Sequence, residues 1–159
     1  MQAIQGEICL LSVDEKTGIQ ALERQIVTHL GGKRIESEYV RHGTTCLLAA
    51  LEVGQGKVVH HLLRDTRKEE DYLELVQGLV SKYPKDKQLV ILADNLNTHM
   101  SASLVEWVAS EIGFEQDLGT KRYKGILKSM KSRKTFLEDP THRIRFVYTP
   151  KHCSWLNPI

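Results

Sequence analysis

The chain has 159 residues, 41% apolar and 26% charged, with a formal net charge of +2, which is enough for one domain with a real core. The charge is too small to indicate nucleic acid by itself, and no apolar run nears the roughly 20 residues that span a bilayer. The first seven residues lack the basic and apolar regions of a signal peptide, so a cytoplasmic protein without a membrane partner is expected.

Residues 7–13 form a nearly continuous apolar run, Glu7-Ile8-Cys9-Leu10-Leu11-Ser12-Val13, that ends on Asp14. Such a run reads as a strand buried on both faces. Glu15-Lys16-Thr17-Gly18 reads as a turn, and residues 19–38 are polar and weakly periodic, which predicts loop with at most a helical turn. Residues 44–53 and 58–63 are strand candidates joined by the tight turn Gly54-Gln55-Gly56-Lys57.

Thr66-Arg67-Lys68-Glu69 fits a capping box, and Tyr72, Leu73, Val76, Leu79, Val80 and Tyr83 follow at helical spacing until Pro84. Leu89-Val90-Ile91-Leu92-Ala93 is a second continuous apolar run, and it too ends on an aspartate, Asp94. A helix is predicted over 101–112, with Gly113 as its C-terminal cap, and a last strand over 143–148. The order strand, hairpin, helix, strand, helix, strand argues a mixed sheet covered by helices.

Cys9, Cys46 and Cys153 are odd in number and far apart, and no C-x-x-C occurs, so neither a disulfide framework nor a zinc ribbon is suggested. The histidine pair His60-His61 has no second cluster at metal-ligand spacing. Between Lys121 and Lys134 the chain carries Lys121, Arg122, Lys124, Lys128, Lys131, Arg133 and Lys134 with no acidic residue among them. This is either a patch that meets phosphates or a solvated basic loop.

Sites in open α/β sheets collect at the carboxyl ends of strands. If the strands ending at Asp14 and Asp94 lie parallel and adjacent, their carboxylates converge. They then repel unless a proton or a hard cation such as magnesium lies between them. The alternative is that each aspartate caps the element that follows it, Asp94 by an Asx-turn.

Three blocks carry a family resemblance. The first runs from Ser12-Val13-Asp14-Glu15-Lys16-Thr17-Gly18 to Arg24, followed by Tyr39-Val40-Arg41-His42-Gly43-Thr44. The second is Ala93-Asp94-Asn95-Leu96-Asn97-Thr98-His99, and the third is Tyr148-Thr149-Pro150-Lys151-His152-Cys153-Ser154-Trp155-Leu156-Asn157-Pro158-Ile159. In this order they resemble the DDE transposases of bacterial insertion sequences in the mariner superfamily, also called DDE superfamily endonucleases. The resemblance implies an α/β, RNase H-like mixed sheet flanked by helices. In it the strand of the first aspartate is central and that of the second runs parallel beside it.

It further implies that Asp14 and Asp94 are catalytic and hold two Mg2+ (or Mn2+) ions for in-line phosphoryl transfer on DNA. Asn95, Asn97 and His99 would be supporting donors or DNA contacts. Double-stranded DNA, element ends and target, is the implied partner, with a homodimer on DNA. Lys151, His152 and the basic segment would touch DNA, the segment as an insertion at about 114–142. Trp155 either stacks near DNA or, the preferred reading, anchors the exit of the last strand.

In the family pattern a glutamate opening the last helix follows the segment like 154–159, and neither Glu138 nor Asp139 lies in the motif to replace it. The expectation is therefore a partial catalytic domain over 1–159, lacking the final helix and the N-terminal helix-turn-helix, and inactive or nearly so alone. A non-catalytic remnant that at most binds nucleic acid is the alternative. An unrelated magnesium phosphohydrolase would need a further nucleophile or a phosphate-binding Gly-rich loop, and neither is present in the sequence.

Overall fold

A computed structural model of the chain describes residues 8–29, 32–151 and 153–159. Five strands form one sheet: β1 (Cys9–His29), β2 (Gly32–Glu52), β3 (Lys57–Arg64), β4 (Leu89–Ala93) and β5 (Ile144–Tyr148). Their order across the sheet is β3-β2-β1-β4-β5. β2 runs antiparallel to both neighbours, while β1, β4 and β5 are parallel. This is the RNase H-like arrangement that the resemblance implies, with β1 central and β4 parallel beside it.

Among the described residues three α-helices accompany the sheet: α1 (Glu69–Val80), α2 (Ala102–Glu111) and α3 (Met130–Leu137). Alternate residues of the central strands face them. Cys9, Leu11 and Val13 of β1, Leu48 and Ala50 of β2, Leu89, Ile91 and Ala93 of β4, and Ile144 and Phe146 of β5 are buried in one core with Leu75, Val76, Leu79, Leu104, Val105 and Val108. The intervening residues point to the other face, where Leu10 is exposed and Val90, Leu92 and Val147 are half-buried. Among the described residues no helix is long and apolar enough to cross a membrane.

Local chemistry sets the element ends. The Ser101 hydroxyl accepts the Leu104 N–H at 3.1 Å and starts α2, and Gly113 just beyond its end takes a φ of 69°, which favours glycine. The start of α1 differs from the expected box. The Asp71 carboxylate accepts the Lys68 N–H at 2.7 Å and the Thr66 hydroxyl at 2.9 Å, so the helix begins at Glu69 and the threonine ties the carboxylate rather than the backbone.

Two expectations are corrected. Residues 19–38 are not loop, because β1 and β2 continue as an antiparallel ribbon to His29 and Gly32. Lys16 to Glu23 are exposed there. Where a ribbon is solvated on both faces, as at Lys16 to Glu23, it has no reason to alternate apolar and polar residues, so its period is invisible in the sequence. Gly18 (φ 68°) lies where the register shifts between Lys16 and Ile19; the expected turn is a bulge. The basic segment also folds: Leu127, Phe136 and Leu137 enter the core, and the Phe136 ring meets Phe114 edge-on at 5.1 Å.

Candidate active site

The parallel register of β1 and β4 pairs Ser12 with Leu92. Two residues further on, the same register carries Asp14 and Asp94 to adjacent positions: Asp94 directly follows β4, while Asp14 lies within β1, just past its last pair with β4, so the strand does not end there as the sequence suggests. Both carboxylates are partly accessible, and each holds a backbone amide: Asp14 accepts the Glu15 N–H at 2.8 Å and Asp94 the Leu96 N–H at 3.0 Å. Burial, with the nearby charges of Glu15 and Asp94, pushes the Asp14 carboxyl above its ordinary range despite that bond.

His99 comes from the 3-10 turn Asn97–Met100 and is fully buried. Its Nδ1 lies 2.8 Å from Asp94 Oδ1 and its Nε2 3.0 Å from Glu15 Oε1. Burial alone would lower its pKa, but the hydrogen bonds to Asp94 and Glu15 raise it to about 9. The imidazolium in turn draws the Asp94 carboxyl below its ordinary range, against the effect of burial and with help from the Leu96 amide and the charge of Arg67. Tyr72 of α1 stacks on the His99 ring at 4.0 Å, and the Tyr148 hydroxyl donates to the His99 carbonyl at 2.7 Å. The ring is thus fixed from three sides and its backbone by a fourth contact, and its burial leaves it no surface to offer DNA.

Asn95 Nδ2 donates to the Thr149 carbonyl, linking the ends of β4 and β5, and Asn95 Oδ1 accepts from Lys134 Nζ at 3.0 Å. Asn97 is exposed. Glu15, Arg67 and Asn157 carry no site role in the sequence expectations. Asn157 is buried, accepts the Ser12 hydroxyl and donates to the Val13 carbonyl at 2.8 Å, so it pins the C-terminal segment to β1 directly before Asp14. Trp155, by contrast, is 74% exposed. The anchor expected of the tryptophan is therefore supplied by the asparagine, whose amide can satisfy two buried polar groups at once.

The basic residues divide. Lys121, Arg122, Lys128, Lys131 and Lys151 are exposed, and Lys124 is exposed beside Asp117 at 3.3 Å. Arg133 departs from the expected DNA role. Its guanidinium donates to the carbonyls of Met100 at 2.7 Å and Leu127 at 3.2 Å, so it braces the turn bearing His99 against the basic segment. Lys134 faces the strand ends. His152 lies outside the described residues.

Two converging carboxylates are hard oxygen donors suited to a divalent cation. Among the described residues no group of three or more His, Cys, Asp and Glu is placed to hold a metal.

The sequence profile of the DDE superfamily endonucleases matches residues 10–159. The chain belongs to this family. Among solved structures, the Mos1 mariner paired end complex with Mn is similar at a TM-score of 0.43 and 16% identity, over 64% of this chain. The match covers 33% of that protein's chain. No curated protein matched the chain in the comparison.

Proposed function

We propose that this DDE superfamily endonuclease is the catalytic domain of a DNA transposase, with Asp14 and Asp94 as its first two metal-binding acids. The observation that carries this is the β1–β4 register, which brings two carboxylates to neighbouring positions just past the parallel β1–β4 pairing. The raised carboxyl of Asp14, caused by burial and by the neighbouring acids, fits a site whose negative charge a cation would offset.

Asp14 and Asp94 would hold Mg2+ or Mn2+, two ions in the intact family site. Such an ion, when bound, acidifies the attacking hydroxyl and neutralises charge on the transferring phosphoryl group. The protein's own residues do the positioning. His99 fixes the rotation of the Asp94 carboxylate by donating to Oδ1, Glu15 fixes the other side of the ring, and Tyr72 closes the face. His99 is a positioning residue in this scheme, since both its nitrogens are occupied and buried.

DNA, held by exposed basic residues such as Lys121, Arg122, Lys128, Lys131 and Lys151, is the proposed partner, with pairing of two chains on DNA. The test is nicking of supercoiled plasmid with Mn2+, together with Mn2+ binding by calorimetry, for the wild type, Asp14→Ala and Asp94→Ala. Metal binding that each substitution abolishes supports the assignment. Nicking that survives Asp94→Ala would place the chemistry elsewhere. DNA binding without metal binding would leave a nucleic-acid-binding role only.

A further inference from the structure

Of the seven cations between Lys121 and Lys134, the contacts single out one. Lys134 is on α3, and its ammonium reaches the junction of β4 and β5. Its hydrogen-bond partner there is Asn95 Oδ1 at 3.0 Å. Glu138, one helical turn on, forms a long ion pair with it at 3.8 Å, outside hydrogen-bond distance, and the Tyr148 ring centroid lies 5.1 Å away. An ammonium carries three donors, so most of this one's capacity is unspent, and its side chain is 33% exposed.

The dock is built rather than incidental. The Asn95 amide nitrogen is committed to the Thr149 carbonyl, so the amide oxygen must face the lysine. Asn95 directly follows Asp94, so the cation docks on the residue next in the chain to the second acid. A neutral amide is a weak partner for an ammonium compared with an anionic oxygen. The other basic residues of the segment are placed differently: Arg133 is bonded to carbonyls, Lys124 lies against Asp117 in a turn, and the rest are exposed.

We propose that Lys134, docked on Asn95, holds a non-bridging phosphodiester oxygen of the DNA strand beside Asp94. This rests on Asp14 and Asp94 being the metal-binding pair. A lysine suits the task because it offers a point charge to the backbone and reads no base. Asn95 thereby has a role distinct from metal support or base contact: it aims the cation.

The test is binding of a short fluorescent DNA duplex by the full chain, with Mg2+ or with EDTA, across a salt series. The chains compared are the wild type, Lys134→Gln, Lys134→Arg, Asp14→Ala and, as a control from the opposite end of the sheet, Lys85→Gln. With Mg2+, Lys134→Gln should weaken binding about tenfold and lower the slope of log affinity against log salt by about one. Lys134→Arg should keep the slope, and Lys85→Gln should match the wild type. A structural defect would lower affinity without removing one unit of slope.

A second measurement covers a glutamine variant that folds poorly. Duplexes carrying a single uncharged methylphosphonate at successive positions should reveal one phosphate whose neutralisation weakens binding by the wild type but not by Lys134→Met. If no such position exists, Lys134 contacts no phosphate. If Lys134→Gln keeps the wild-type slope while Asp14→Ala removes the Mg2+-dependent part of binding, the lysine assignment falls and the acid pair stands. If neither Asp14→Ala nor EDTA changes binding, the acid-pair assignment fails and takes this proposal with it.

Discussion

His99 bonds two carboxylates, Glu15, 84 residues away in the chain, and Asp94, only five residues away. Removing one partner of a buried ion pair leaves the other charged and unsolvated, at a cost on the order of 3–5 kcal/mol. His99→Ala should therefore lower the unfolding free energy of the metal-free protein by roughly 3 kcal/mol in urea. A loss below about 1 kcal/mol would mean that the network carries little stability.

The sign with pH follows from the raised pKa. His99 goes from an ordinary 6.5 to about 9 in the fold, so its contribution is fully present below 6.5 and is lost as pH rises through 9. Asp94, held below its ordinary 3.8, contributes above that value and loses its contribution as pH falls through the depressed one. Asp14 has the opposite sign, since burial first and the neighbouring acids second make its ionisation unfavourable. Metal-free stability should decline between pH 6.5 and 9, and His99→Gln should flatten that decline. Asp14→Asn should leave the metal-free protein as stable as the wild type or more so, while abolishing any rise in melting temperature on adding Mn2+. A clear destabilisation by Asp14→Asn without metal would contradict the repulsion argued for the pair.

At the scale of elements, the turn that brings Lys121 to Lys124 back toward the core depends on two glycines. A Cβ on Gly119 (φ 87°) would lie 2.1 Å from the Lys124 carbonyl oxygen, and one on Gly125 (φ 72°) 2.6 Å from that of Leu118. Neither backbone can retreat, because the Thr120 N–H bonds the Lys124 carbonyl at 2.9 Å and the Leu127 N–H bonds Leu118 at 3.0 Å. Gly119→Ala should cost on the order of 2 kcal/mol. Gly54→Ala, with open space around it and no positive φ, should cost far less. Equal effects would mean that the close approach is not what holds the segment.

Elements that bury an apolar face are legible in the sequence: β4 ends on Asp94, α2 has its serine cap and glycine stop, and the β2–β3 hairpin turns at Gly54 to Gly56. The elements that stay hidden bury too little. Of α3, only Phe136 and Leu137 are buried, and its other residues read as a basic loop. Glu15 and Asn157 are hidden for a different reason, since their partners are distant in sequence. Nothing local in Glu15-Lys16-Thr17 signals a histidine at position 99.

For the whole molecule, the sheet divides into a packed half and a ribbon. The described side chains at the base of the ribbon, Lys16 to Glu23 with His42, Gly43 and Thr44, are exposed, and burial of apolar surface is what supplies most stability. Replacing residues 21–42 with a short turn should shift the melting temperature by no more than about 4 °C, the equivalent of about 1 kcal/mol in a domain of this size. A fall beyond roughly 10 °C would assign the ribbon a structural role.

The two fastenings on either side of residues 150–156 make that stretch behave like a belt between fixed buckles. At one end the Thr149 N–H holds the Ala93 carbonyl at 3.0 Å; at the other Asn157 holds Val13. One buckle is on the strand of each aspartate, so the belt spans the gap between the two acids and resists their being pulled apart. A longer belt, made by inserting glycines after Lys151, should leave both buckles in place yet slacken the spacing of the acids. Asn157→Leu should open the far buckle and leave the belt held at Thr149 alone.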